Sequence, residues 1–163
     1  GATGLKTGST SKAKFCISAT AERGGLTLIA VIMAAPTRDI RNEAAKSLFD
    51  YGFANYSLYT DEPEEFEDIY VTGGKENLTK GVSSGFSVVV SKGDAGKIEK
   101  VTDVPEKISA PIVKGEKIGT VTYILDGKSI GTSDILAAEN VDKITFWSLL
   151  KKLGSWFLCS PPN

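Results

Sequence analysis

The feature that most limits what this chain can fold into is a pair of apolar runs joined by two glycines. Residues 14–23, KFCISATAER, and 26–34, LTLIAVIMA, flank Gly24-Gly25. A two-residue turn with positive φ at both positions is the connection antiparallel strands favour, and glycine adopts it without steric cost. The spacing predicts a β-hairpin. Its second strand is apolar almost without interruption, the pattern of a strand covered on both faces. A fold that contains it must supply cover from two sides.

Pro36-Thr37-Arg38-Asp39 breaks the strand pattern, and residues 40–56 follow with helical spacing. Ile40, Ala44, Leu48, Phe49 and Phe53 form the expected core stripe, with Thr37 or Asp39 as the cap and Gly52 weakening the last turn. The acidic, proline-containing stretch at 60–68 reads as a linker or domain boundary. Beyond it the pattern is strand, turn, strand, with candidate strands at 67–72, 86–92, 98–103, 117–125 and 128–136. Asp126-Gly127 between two of them is a strong hairpin signal. Short strands with glycine-rich turns predict a small β-sandwich or barrel-like module. Residues 143–158 place Phe146, Leu149, Leu150, Leu153 and Phe157 on one helical face and lysines opposite, with Trp147 and Trp156 near the boundary. That is the pattern of a helix lying in the plane of a membrane; the alternative is a helix docked on the module's own surface.

Composition removes whole classes of chemistry. The 19 basic and 20 acidic residues nearly balance, so no basic field points to nucleic acid. Histidine is absent, which excludes Ser-His-Asp and Cys-His nucleophile pairs and histidine-ligated zinc. Cys16 and Cys159 form no paired motif. Cys16 reads as a small buried hydrophobe and Cys159 as a bystander thiol. The acidic residues 62–68 read as a solvated linker, so no metal is expected, and no cofactor is implied. No apolar run reaches the length of a membrane span, and no signal-peptide pattern is visible.

Chemistry concentrates at residues 4–10, GLKTGST. A phosphate-binding loop needs Gly, four residues, then Gly-Lys-Ser/Thr, and Leu5 stands where that glycine should be. Lys6-Thr7-Gly8 instead matches the third signature of serine enzymes that bind β-lactams. A fixed ammonium, a neighbouring hydroxyl and a residue without Cβ suit an anionic peptide lying along a strand. The whole stretch GLKTGSTSKAKFCISATAERGGLTLIAVIMAAPTRDIRNEAAKSLFDYGF resembles the end of the catalytic domain of low-molecular-mass D-alanyl-D-alanine carboxypeptidases, the penicillin-binding proteins of peptidase family S11. APIVKGEKIGTVTYILDGKSIG resembles that family's second domain, and FWSLLKKLGSWF its amphipathic membrane anchor.

The resemblance implies an α+β chain in three parts. Residues 1–59 would be the remnant of a transpeptidase-like sheet with its packing helix. Residues 60–138 would be a small all-β domain, and 139–163 an anchor helix and tail. It implies that Lys6 lines the catalytic cleft, that Thr7 binds the substrate carboxylate, and that Gly8 allows close approach. The Ser9 N–H would form half of an oxyanion hole. Arg41 would assist carboxylate recognition, with an exposed helix charge as the alternative. The implied ligands are the peptidoglycan stem peptide and β-lactams, at the outer face of the bacterial cytoplasmic membrane. The family's S-x-x-K nucleophile and S-x-N motifs have no acceptable match. Ser9-Thr10-Ser11-Lys12 overlaps the strand, and Ser148-Leu149-Leu150-Lys151 falls in the terminal helix. The expected nucleophile therefore comes from a missing N-terminal half, and this chain alone should be inactive. A serine β-lactamase and a non-catalytic wall- or partner-binding β-module are the rival readings.

Overall fold

The computed structural model describes residues 1–147 and 150, except for the side chain of Asp68. These are mostly β-sheet with one α-helix. They divide into two compact units. One comprises Gly1–Thr60 with Ser87–Ile98, and the other Asp61–Phe86 with the chain from Glu99.

In the first unit, β1 (Ala2–Thr10), β2 (Lys14–Arg23) and β3 (Leu26–Ala35) form an antiparallel sheet in that order. Gly24 and Gly25 turn between β2 and β3 with φ of 55° and 77°, as the hairpin requires. Helix α1 (Arg38–Asn55) covers one face. Ile17 and Ala19 meet Ala45, while Ala21 and Leu26 meet Phe53, with Phe49 packed against both groups. The Thr37 side chain accepts the Ile40 N–H at 3.2 Å and caps the helix.

Phe49 and Phe53 of the predicted stripe do reach the core, but the buried face is turned away from the rest of it. Arg41, Ala45, Gly52 and Phe53 are buried, whereas Ile40 and Leu48 are exposed. The last turn forms despite Gly52, and the helix continues to Asn55. A Cβ at Gly52 would stand 2.5 Å from Leu28 Cδ1, so its absence lets α1 lie close to β3. After the helix, β4 (Tyr56–Asp61) pairs with β7 (Phe86–Ser91), and Lys92 N–H donates to the Asn55 carbonyl.

The expectation of two covered faces for β3 is met on one side only. Leu26, Ala30 and Ala35 are buried, but Ile29 and Met33 on the other face are 70% and 76% exposed and Val31 lies open between them. Among the described residues of this unit, α1 is the only helix that packs on the sheet.

The second unit is a six-stranded sheet. It uses β5 (Glu65–Thr72), β6 (Leu78–Ser83), β8 (Glu99–Asp103), β9 (Lys107–Ser109), β10 (Lys117–Leu125) and β11 (Lys128–Ala137), in the order β8-β10-β11-β6-β5-β9. All neighbours are antiparallel except β5 and β9. Asp126 and Gly127 join β10 to β11 with positive φ. Much of the predicted acidic linker is strand: Glu65 to Asp68 open β5, and Asp61 closes β4.

Tyr123 and Ile135 are fully buried in this unit. The Tyr123 ring stacks on Phe86 at 4.1 Å between centroids, and its hydroxyl donates to Asp61 at 2.7 Å. Gly131 lies directly beneath Phe86, where a Cβ would collide with the ring. Burial raises the Asp61 pKa, but the bonds from Lys100 and Tyr123 and the Lys100 charge outweigh it and hold the carboxyl below its ordinary value.

Candidate functional site

Lys6, Thr7, Gly8 and Ser9 lie on β1, the edge strand of the first unit's sheet. They pair with Ser18, Ile17, Cys16 and Phe15 respectively. The other edge of β1 has no strand partner among the described residues. Directly opposed residues share a face. Because Ile17 packs on Ala45 of α1, Thr7 sits on the helix side and Lys6 and Gly8 on the opposite side. A ligand running along this edge therefore meets the ammonium from one face and the hydroxyl from the other. A Cβ at Gly8 would meet nothing within 4 Å. The fold of this chain does not itself demand glycine there, and the open space is available to an approaching backbone.

Arg41 is not an exposed helix charge. It is 8% exposed, and its guanidinium donates to the Cys16 carbonyl at 3.4 Å and to Asn42 Oδ1 at 3.0 and 3.2 Å. Cys16 is the strand partner of Gly8, so this cation lies next to the Lys6-Thr7-Gly8 element. Among the described residues no carboxylate pairs with it. A buried guanidinium bonded only to neutral oxygens is electrostatically incomplete, and an anion brought beside it would be strongly favoured. Cys16 is partly buried rather than enclosed, and its thiol donates to the Ala13 carbonyl.

An open groove of about 690 Å³ begins at Ser9 and is lined further by Thr10, Ser11, Lys14, Phe15 and Pro36. Apart from Ser9, none of these was a predicted site residue. The groove is shaped by backbone irregularity. Lys14 has φ 54° at the end of the β1–β2 turn, and nothing in a lysine announces a left-handed conformation. Ser9 lies in a strand and Lys12 in the turn, so the formal S-x-x-K there does not open a helix. The predicted helix at 143–158 falls largely outside the described residues. Of its apolar side chains, Phe146 and Trp147 are exposed. No helix among the described residues is long and apolar enough to cross a membrane.

Comparison with known proteins agrees with this architecture. The family described as "Penicillin-binding protein 5, C-terminal domain" matches residues 53–143, more than half of the chain, and the chain belongs to that family. It is 32% identical over 161 residues to the D-alanyl-D-alanine carboxypeptidase DacF of Bacillus subtilis (strain 168), covering 96% of this chain and 41% of that protein. It is 31% identical over 160 residues to the D-alanyl-D-alanine carboxypeptidase DacA of Haemophilus influenzae, covering 95% and 40%. The crystal structure of penicillin binding protein 5 from Haemophilus influenzae superposes with a TM-score of 0.64 at 29% identity, covering 85% of this chain and 42% of that one. The chain thus spans about two fifths of the length of the curated relatives it matches.

Proposed function

We propose that this chain is the C-terminal portion of a serine-type D-alanyl-D-alanine carboxypeptidase that trims the terminal D-alanine from peptidoglycan stem peptides and is acylated by penicillins. In this reading residues 1–59 are the last part of the transpeptidase-like catalytic domain, 60–138 the second domain, and 139–163 the membrane anchor. The observation that carries it is the Lys6-Thr7-Gly8 edge, beside a buried Arg41 with no carboxylate partner among the described residues, on a sheet whose opposite face carries exposed apolar side chains. Ile29, Val31 and Met33 are the surface a missing half would cover.

The chemistry follows from the assigned roles. Thr7 donates to the substrate's terminal carboxylate, and Arg41 supplies the compensating charge. A serine from the N-terminal half, with its own lysine, attacks the carbonyl of the penultimate D-alanine. The Ser9 N–H and the nucleophile's own N–H hold the oxyanion as it forms. Lys6 lends positive charge to the cleft and supports proton transfer at the serine. The amide C–N bond breaks, D-alanine leaves, and water releases the acyl group. The enzyme would work outside the cytoplasmic membrane, held to its surface through residues 143–158.

The test is D-alanine release and fluorescent-penicillin labelling by the full-length polypeptide, against residues 1–163 alone. The full-length protein should do both and the shorter chain neither. Labelling of residues 1–163 alone, or a full-length protein that hydrolyses penicillin rapidly without releasing D-alanine, would sink the assignment.

A further inference from the structure

The carboxypeptidase reading orders the roles along β1, and the groove beyond them extends that reading to substrate choice. Thr7 takes the terminal carboxylate and the Ser9 N–H takes the scissile carbonyl. A peptide held that way continues past Ser9, away from its carboxyl end. The groove begins at that point. Extended chain advances about 3.4 Å per residue, so Thr10 lies about 10 Å beyond Thr7. The residue preceding the two D-alanines therefore falls within the groove.

The lining there mixes polar and apolar side chains. Ser9, Thr10 and Ser11 offer hydroxyls, Phe15 and Pro36 offer contact area, and Lys14 brings the single cationic side chain. Lys14 stands directly across from Thr10 in the strand register. No carboxylate pairs with its ammonium among the described residues. Its turn is braced, since Thr10 Oγ1 accepts the Ala13 N–H at 2.9 Å and Cys16 Sγ donates to the Ala13 carbonyl at 3.3 Å.

Two backbone distortions flank Phe15. Lys14 has φ 54° and Ala34 has φ 57°. Pairing on β3 jumps from Ile17–Ile32 to Phe15–Ala35, which inserts one extra residue into that strand. Bulges and left-handed non-glycine residues concentrate where a chain shapes a binding surface. Glycine would take the Lys14 conformation at lower cost. A lysine holds that conformation here while lining the groove.

We propose that Lys14 is a specificity-determining residue whose ammonium pairs with a side-chain carboxylate on the substrate residue that precedes D-alanyl-D-alanine. The preferred substrates are then peptides acidic at that position, over their amidated counterparts. The experiment uses the full-length enzyme and two synthetic peptides, acyl-Glu-D-Ala-D-Ala and acyl-Gln-D-Ala-D-Ala, and reads the ratio of their kcat/KM values. The ratio should favour the acidic peptide by roughly threefold to tenfold, the range expected for one partly solvated charge pair. Lys14→Gly removes the ammonium while relaxing the turn, and should bring the ratio to about one. Lys14→Glu should invert it. Labelling by fluorescent penicillin reports an intact site in each variant. A wild-type ratio near one, or a ratio unchanged in both variants, overturns the proposal. Failure of the carboxypeptidase reading has a different signature, with neither peptide cleaved and no labelling by any form, and it removes the proposal as well.

Discussion

The two units of this molecule solve the problem of burying apolar surface in opposite ways. The second closes on itself: Tyr123 and Ile135 are fully buried, and Val121, Ala137 and Val141 nearly so. The first is finished on one side only, with α1 over one face of the sheet and Ile29, Val31 and Met33 facing outward on the other. Both are built mainly from antiparallel strands, so strand chemistry does not explain the difference. The contrast leaves the first unit, unlike the second, with an apolar sheet face that no helix among its described residues covers. The Lys6-Thr7-Gly8 element lies in that first unit, on a sheet edge with no strand partner among the described residues.

The sharpest way to break this comparison is at Lys6. In the full-length enzyme Lys6→Ala should lower penicillin acylation by about 10²–10⁴-fold, the range for loss of a group that assists proton transfer. Thermal unfolding should hardly move, because the side chain is exposed on an edge strand. A large activity loss accompanied by unfolding would make Lys6 a structural residue instead. The next test is the bare face. Val31→Lys should cost almost nothing in residues 1–163, where the position is exposed, but about 3–5 kcal/mol in the full-length protein if another segment buries it. Equal small effects in both would leave the face a free surface and sink the proposed missing half.

What could be read in advance depends on how local the determining chemistry is. Both glycine-containing hairpin turns were legible, because positive φ at two adjacent positions is written in the residue types. The identity of the strand bearing Lys6 was legible through its motif and the resemblance around it. The buried face of α1 was legible only at Phe49 and Phe53. A hydrophobicity stripe ranks Arg41 as surface and Ile40 as core, and the fold reverses both because Arg41 finds the Cys16 carbonyl and Asn42. Strands β6 and β9 escaped because they are short and polar, LTKGVS and KIS, and β9 in addition pairs with a strand distant in sequence. The groove at Ser9 was invisible for a third reason. Its walls come from the left-handed conformation at Lys14 and the bulge near Ala34, which no residue type there announces.

Within the second unit, Tyr123→Phe tests whether closure depends on the buried link from Tyr123 to Asp61. The ring and its stack on Phe86 remain, but the bond to Asp61 is lost. The expected loss is about 1–3 kcal/mol of stability, the usual range for a bond to a charged acceptor. Denaturant unfolding of residues 1–163, followed by hydrogen exchange at the Val121 and Ile135 amides, would report it. Faster exchange confined to the first unit would contradict the role given to Tyr123.

The smallest effect is the pH response of the same link. Asp61 holds its proton less tightly in the folded state than in the unfolded chain, because Lys100 and Tyr123 favour its charged form more than burial opposes it. The stabilisation is therefore complete above the unfolded value, which lies near 3.8, and drains away as pH falls through the lower folded value. Between pH 7 and pH 5 the second unit should show no dependence on Asp61. Below about pH 4 its amides should lose protection in the native protein and lose less in Asp61→Asn, which has no proton to take up. Glu67 and Asp142 also have lowered values, from their bonds to Lys80 and Lys75, but both pairs are exposed and solvent screening leaves them little influence on stability. Their neutral variants should follow the native acid response, so an acid transition that moves with Glu67→Gln rather than Asp61→Asn would shift the origin of closure from the Tyr123 link to the surface.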